Sequence, residues 1–116
     1  MPKSFLPALL AAVLLAAPAA AQFTGPGAAG ASMGAADAAA ARPGTYVTLE
    51  GSIVSRLRED YYLFRDASGE VRVEIEPRVF AGRPVAPETR IRLVGEVDRS
   101  VGGATYIWIE TLEIVN

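Results

Sequence analysis

From residue 45 onward, apolar and polar residues alternate in five short stretches: TYVTLEGSIV (45–54), DYYLFRDA (60–67), GEVRVEIE (69–76), TRIRLVGEV (89–97) and ATYIWIETLEIV (104–115). Side chains along a β-strand point alternately to its two faces, so each stretch predicts a strand with one buried face. The expected inward residues are Val47, Leu49, Gly51 and Ile53, then Tyr62 and Phe64, then Val71, Val73 and Ile75. Ile91, Leu93, Gly95 and Val97 follow, then Ile107 and Ile109, and after a register change Leu112 and Val115. Residues 56–60 (RLRED) read as a charged turn, and 66–69 (DASG) and 100–104 (SVGGA) as hairpin turns, because Asp bonds its own backbone and Gly accepts positive φ. Between the third and fourth stretches, three prolines within residues 77–87 exclude a regular helix longer than a turn. Val79, Phe80 and Val85 in that segment are expected to close one end of the core. Five short strands within 72 residues predict an all-β fold, a small antiparallel barrel that hides its own strand edges. Mid-strand glycines at 51 and 95 mark places where a tightly curved wall bends or bulges.

The preceding segment lacks this alternation. Residues 22–44 are almost wholly Gly, Ala and Pro with a few polar residues, which predicts a linker. Residues 22–34 read as a flexible tether, and the alanine-rich segment 35–42 as a short helix stopped by Pro43 and Gly44. So short a helix forms only against the barrel. Gly27, Gly30 and Gly34 do not make a phosphate-binding loop, because no strand precedes them and no Lys follows. At the front, Lys3, an apolar run of 13 residues (5–17), Pro18 and three small residues before Gln22 form the three-part pattern of a secretory signal peptide. The run is shorter than the roughly 18–20 residues of a membrane span. The expected organisation is therefore a signal peptide at 1–21, a linker at 22–44 and a barrel domain at 45–116, exported and not stably inserted in a membrane.

Charge and composition narrow the chemistry. The whole chain has a formal charge of −2; without the leader, ten arginines face thirteen acids, a charge of −3 with no lysine. There is no His and no Cys. That excludes disulfides, Ser-His and Cys-His nucleophile pairs, and zinc or haem ligation by those residues. No cofactor, metal site or catalytic residue is expected. The outward carboxylates Glu74 and Glu76, and Glu96 and Asp98, are interspersed with Arg72, Arg90 and Arg92, a pattern that predicts cross-strand ion pairs. A negative surface with its arginines mixed among acids is a poor single-stranded nucleic-acid groove.

The stretch 45–76 resembles the bacterial OB-fold (BOF) family of YgiW/YdeI-type periplasmic stress-tolerance proteins. The resemblance rests on Tyr46-Val47-Thr48-Leu49-Glu50-Gly51, Ile53-Val54, Asp60-Tyr61-Tyr62-Leu63-Phe64-Arg65-Asp66 and Gly69. Val85 with Pro87, Gly95-Glu96-Val97-Asp98 and Phe23-Thr24-Gly25-Pro26 extend it over nearly all of the chain after the leader. It implies a five-stranded antiparallel OB-fold barrel with a short N-terminal helix, located in the periplasm, without catalysis, and with a binding role in envelope stress. The expected ligand is a small or cationic molecule or an envelope protein, contacted by Glu59, Asp60, Glu74, Glu76 and Glu96, with Arg72 beside them. The alternative is a glycan such as peptidoglycan, stacked on Tyr61, Tyr106 and Trp108.

Overall fold

The computed structural model describes residues 30–115. The expected signal peptide (1–21) and residues 22–29 of the linker lie outside the described residues. The chain runs β1 (Ala31–Ser32), α1 (Ala35–Ala40), β2 (Tyr46–Arg58), β3 (Tyr61–Asp66), β4 (Gly69–Glu74), α2 (Pro77–Phe80), β5 (Ile91–Arg99) and β6 (Thr105–Ile114). Strands β2-β3-β4-β6-β5 pair in that order, and a β2–β5 pairing closes the ring. This is the expected five-stranded barrel. One detail departs from an all-antiparallel ring: β4 and β6 run parallel, with Val73 opposite Ile107 and Glu74 opposite Trp108. Alternating directions cannot close around an odd number of strands, so one neighbouring pair must be parallel.

The long first barrel strand serves two neighbours. Residues 46–51 of β2 pair with β5, and residues 52–58 pair with β3. The predicted turn at RLRED is therefore shorter than expected: Arg56, Leu57 and Arg58 continue the strand, and Glu59, with φ of 39°, turns the chain. Gly51 sits at the handover. A Cβ there would collide with the Arg65 carbonyl oxygen and lie 2.8 Å from the Phe64 ring, so the requirement is close approach rather than a bulge. The bulges of β2 come later, between Ile53 and Ser55 and between Arg56 and Arg58. Gly95 does face a bulge. There β6 carries an extra residue, Glu110, so that Val94 opposes Thr111 while Gly95 opposes Ile109. The strand's buried face thereby passes from Ile107 and Ile109 to Leu112, the predicted register change.

Val47, Leu49, Phe64, Val73, Ile75, Ile91, Leu93, Ile107 and Ile109 are wholly buried in one core. Tyr62 is only half-buried, at the core margin, where its ring meets Phe80 edge-on at 5.5 Å. The one-turn α2 follows Pro77, buries Val79, and with Phe80 and Val85 covers that end of the core. Thr48 and Val94 are also buried, although they lie on the face expected to be solvated. Above Thr48 lies β1, running parallel to β2, with Thr48 Oγ1 donating to the Gly30 carbonyl at 3.3 Å and Met33 N–H to the Thr48 carbonyl at 3.2 Å. Residues 30–34 thus pack on the barrel, which corrects the expectation of a tether running through Gly34.

Helix α1 also packs on the barrel. Ala35 and Ala38 are fully buried in the core. Six residues are too few for a stable isolated helix, and Gly34 at its N-cap supplies no side chain. The cap comes instead from the β3–β4 hairpin: Asp66 Oδ2 accepts the Ala35 N–H at 2.8 Å and Ser68 Oγ accepts the Ala36 N–H at 3.1 Å. Asp66 Oδ1 accepts the N–H groups of Ser68 and Gly69 at 2.8 and 3.2 Å. Partial burial would raise the Asp66 carboxyl, but these hydrogen bonds, from Ser68, Ala35 and Gly69, outweigh it and hold it below the usual carboxylate range.

Candidate functional site

Strand register, rather than sequence proximity, assembles the outward face at one end of the barrel. Tyr46 opposes Glu96, Glu96 opposes Trp108, Trp108 opposes Glu74 and Glu74 opposes Tyr61. Five adjacent strands thereby contribute one row of alternating aromatic and acidic residues. One step toward the β5–β6 hairpin, Tyr106 opposes Asp98 and donates its hydroxyl to Asp98 Oδ2 at 3.2 Å. The Tyr61 and Tyr106 rings meet edge to face at 5.6 Å. Of the residues expected to bind ligand, Tyr61, Glu74, Glu96, Tyr106 and Trp108 fall on this face. Asp60 lies beside it at the β2–β3 turn. Glu59 is exposed at the tip of that turn, apart from the row, and its carbonyl accepts from Arg56 Nε at 2.7 Å.

The charges of this face are concentrated and only partly offset. Burial pushes the Glu74 carboxyl up, and the neighbouring Glu76, Asp60 and Asp98 push it further. Burial and Asp98 push the Tyr106 hydroxyl up to about 12, with Tyr61 and Glu74 adding to the shift. Glu96 and Glu110 raise Tyr46. Among the described residues only Glu76 of this group has an arginine partner, Arg78 at 2.9 Å. The predicted ion pairs of Glu74, Glu96 and Asp98 with Arg72, Arg90 and Arg92 do not form. Arg90 and Arg92 instead hold Glu50, at 3.4 and 2.8 Å, and Arg92 also holds Glu113 at 2.7 Å. The cause is register: β2 sets Glu50 opposite Arg92, and β6 sets Glu113 opposite it. Glu96 is four residues farther along β5, roughly 13 Å away.

Two aromatic rings of this face already carry cations. The Arg58 guanidinium lies 5.6 Å from the centre of the Tyr61 ring, and that of Arg78 lies 6.0 Å from the Trp108 ring. Arg72 does not join the acids. It lines a cleft of about 430 Å³ with Arg58, Tyr61, Arg99 and Tyr106, between the β2–β3 turn and the β5–β6 hairpin. Sequence reasoning missed Tyr46, Arg58 and Arg99. The alternating pattern put Tyr46 on a strand but left Arg58 in the predicted turn and Arg99 beyond the fourth stretch; β2 and β5 run on through them and carry them to this face. Among the described residues, no three acids converge closely enough to hold a metal ion.

Known proteins share this arrangement of strands. A family model described as "Bacterial OB fold (BOF) protein" matches residues 15–113. The calcium-regulated OB-fold protein CarO of Pseudomonas aeruginosa is 41% identical over 96 residues, spanning 83% of this chain and 82% of CarO. Protein YgiW of Escherichia coli is 43% identical over 58 residues, half of this chain and 45% of YgiW. The solved structure of the hypothetical protein ygiW from E. coli superposes with a TM-score of 0.67 at 33% identity, covering 80% of this chain and 97% of that one.

Proposed function

Because the chain belongs to the bacterial OB-fold (BOF) family, we propose that it is an exported, non-catalytic binding module whose acidic and aromatic face takes a cationic ligand during envelope stress. The observation that carries this reading is the conjunction on one face of acids without arginine partners, Asp60, Glu74 and Asp98, with rings that already attract guanidinium groups. A cation over an aromatic face is held by the ring quadrupole, and neighbouring carboxylates add Coulomb attraction. An amine or guanidinium on a peptide or small molecule suits this face better than a chelated ion, since the acids do not converge. The name of the relative CarO speaks of calcium regulation, and calcium is the natural competitor in the test. Any ligand that stacks on Trp108, sugar or cation, has to displace Arg78 from that ring, and the neighbouring acids favour the cation. Export to the periplasm rests on the leader pattern of residues 1–21, and the stress role on family resemblance.

Trp108 is the one tryptophan of the chain and sits in the row, so its fluorescence reports binding. Titration with hexalysine at low salt is expected to change Trp108 emission saturably. The response should weaken several-fold as added salt shortens the Debye length to about 8 Å, and weaken again in Glu74→Gln and Asp98→Asn. An unchanged spectrum, or saturation by calcium alone with no response to hexalysine, would contradict the reading.

A further inference from the structure

Arginine pairing is uneven across the barrel. Ten arginines lie among the described residues. Arg65, Arg78, Arg90 and Arg92 hold carboxylates. Arg56 and Arg83 donate to backbone carbonyls. Of the four that do neither, Arg42, Arg58, Arg72 and Arg99, three line the single cleft between the β2–β3 turn and the β5–β6 hairpin. They arrive from three strands: the end of β2, the middle of β4 and the end of β5. No carboxylate lines the cleft. Asp98, next to Arg99 in sequence, is engaged by the Tyr106 hydroxyl and by the Arg99 N–H at 2.8 Å. Three like charges gathered without a carboxylate repel one another, and an oxyanion placed among them relieves that repulsion. Guanidinium forks suit phosphate oxygens, which they bind two donors at a time.

The cleft is larger than one anion requires. Its volume of about 430 Å³ falls within the range of small-molecule pockets, about 300–1,000 Å³. The Tyr61 and Tyr106 rings, Ser100, Val101 and Gly102 line the remainder. An extended polyphosphate fits less well, because Asp60, Glu74 and Asp98 border the same face and would repel a second and third phosphate. We propose that this cleft binds the phosphate of a small phosphorylated polyol or sugar, with Arg58, Arg72 and Arg99 holding the oxyanion. The cleft shares the Tyr61 and Tyr106 rings with the cation-binding face but uses arginines where that face uses acids, so substitutions at Arg72 and at Glu74 tell the two apart.

The test is calorimetric titration of the purified protein at low salt with four probes: glucose 6-phosphate, glucose, inorganic phosphate and an eight-residue oligothymidylate. Glucose 6-phosphate is expected to bind at least tenfold more tightly than glucose or inorganic phosphate, and more tightly than the oligonucleotide. Arg72→Gln should weaken it at least tenfold and Arg72→Lys less. Arg92→Gln, which breaks the ion pairs with Glu50 and Glu113 elsewhere, should leave it unchanged. Equal affinity for glucose, no heat with glucose 6-phosphate, equal losses in the Arg72→Gln and Arg92→Gln variants, or tighter binding of the oligonucleotide would each overturn the proposal. Melting curves confirm that the variants remain folded, and Arg72→Lys keeps the test decisive if Arg72→Gln does not.

Discussion

Two outward patches of the same barrel treat charge in opposite ways. Around Arg92, each charge meets its opposite: Glu50 bonds Arg90 and Arg92, and Arg92 also bonds Glu113. The Arg92 hydrogen bonds hold the Glu50 carboxyl below its usual range. Around Trp108 the charges are sorted instead. Acids collect along Glu96, Glu74, Asp60 and Asp98, arginines collect in the neighbouring cleft, and Glu74 is pushed up rather than down. Both patches come from strands with the same alternation of apolar and charged residues. The difference shows that a charged β-surface is neutralised only where register sets opposite charges face to face.

The two patches share one floor, and the largest expected effect removes both. Phe64 is fully buried, and Phe64→Ala should cost about 3–5 kcal/mol, measured by chemical denaturation. That is enough to unfold a domain of this size. A melting midpoint within a few degrees of wild type would refute its place in the core.

Next, Gly95→Ala strikes the bulge that brings β5 and β6 into register beneath Trp108. A Cβ at Gly95 would collide with the Trp108 carbonyl oxygen, and its carbonyl carbon would lie only 2.9 Å away. The expected cost is about 1–3 kcal/mol, with Trp108 emission altered in the folded protein.

Asp66→Ala removes the cap of α1 together with the hairpin bonds, at about 0.5–2 kcal/mol. Because the folded carboxyl lies below its ordinary value, its contribution is present above the unfolded pKa. It is lost as pH falls through the folded one. Asp66→Asn should therefore flatten the acid limb of the stability curve while leaving the tryptophan environment unchanged.

The smallest effects separate the patches by sign. Glu50→Gln should lower the melting midpoint slightly, and the difference should shrink in high salt. Glu74→Gln should raise the midpoint at neutral pH, because ionised Glu74 is disfavoured by burial and by its acidic neighbours. That gain should fade as pH falls below the raised pKa of Glu74, where the wild-type side chain is itself protonated. Equal signs for the two variants would remove the contrast.

Much of the fold was legible because local chemistry dictates it. The DASG turn, the inward set of β4 and β5, the one-turn limit imposed by the prolines and the register change before Leu112 all follow from residues close in sequence. Motifs along the chain also pointed to the family. What escaped was non-local. Residues 30–34 look like a tether because glycine and alanine carry no pattern, yet a backbone ladder and Thr48 hold them to β2. The helix cap could not be read from Gly34, since Asp66 supplies it from 31 residues away. The candidate face was half legible: its acids and rings were named, but their partners were misassigned. An ion pair between strands depends on register, which alternation alone does not set. Arg58 and Arg99 were missed because β2 and β5 extend past the predicted turn and strand end.

The central claim is that the sorted patch, and not the paired one, is the cation-binding surface. Amide chemical-shift mapping of the protein titrated with hexalysine at low salt tests it most directly. The account predicts saturable shifts at Tyr61, Glu74, Asp98 and Trp108, with Glu50, Arg92 and Glu113 unmoved. Shifts spread equally over both patches, or centred on Glu50 and Glu113, would contradict it.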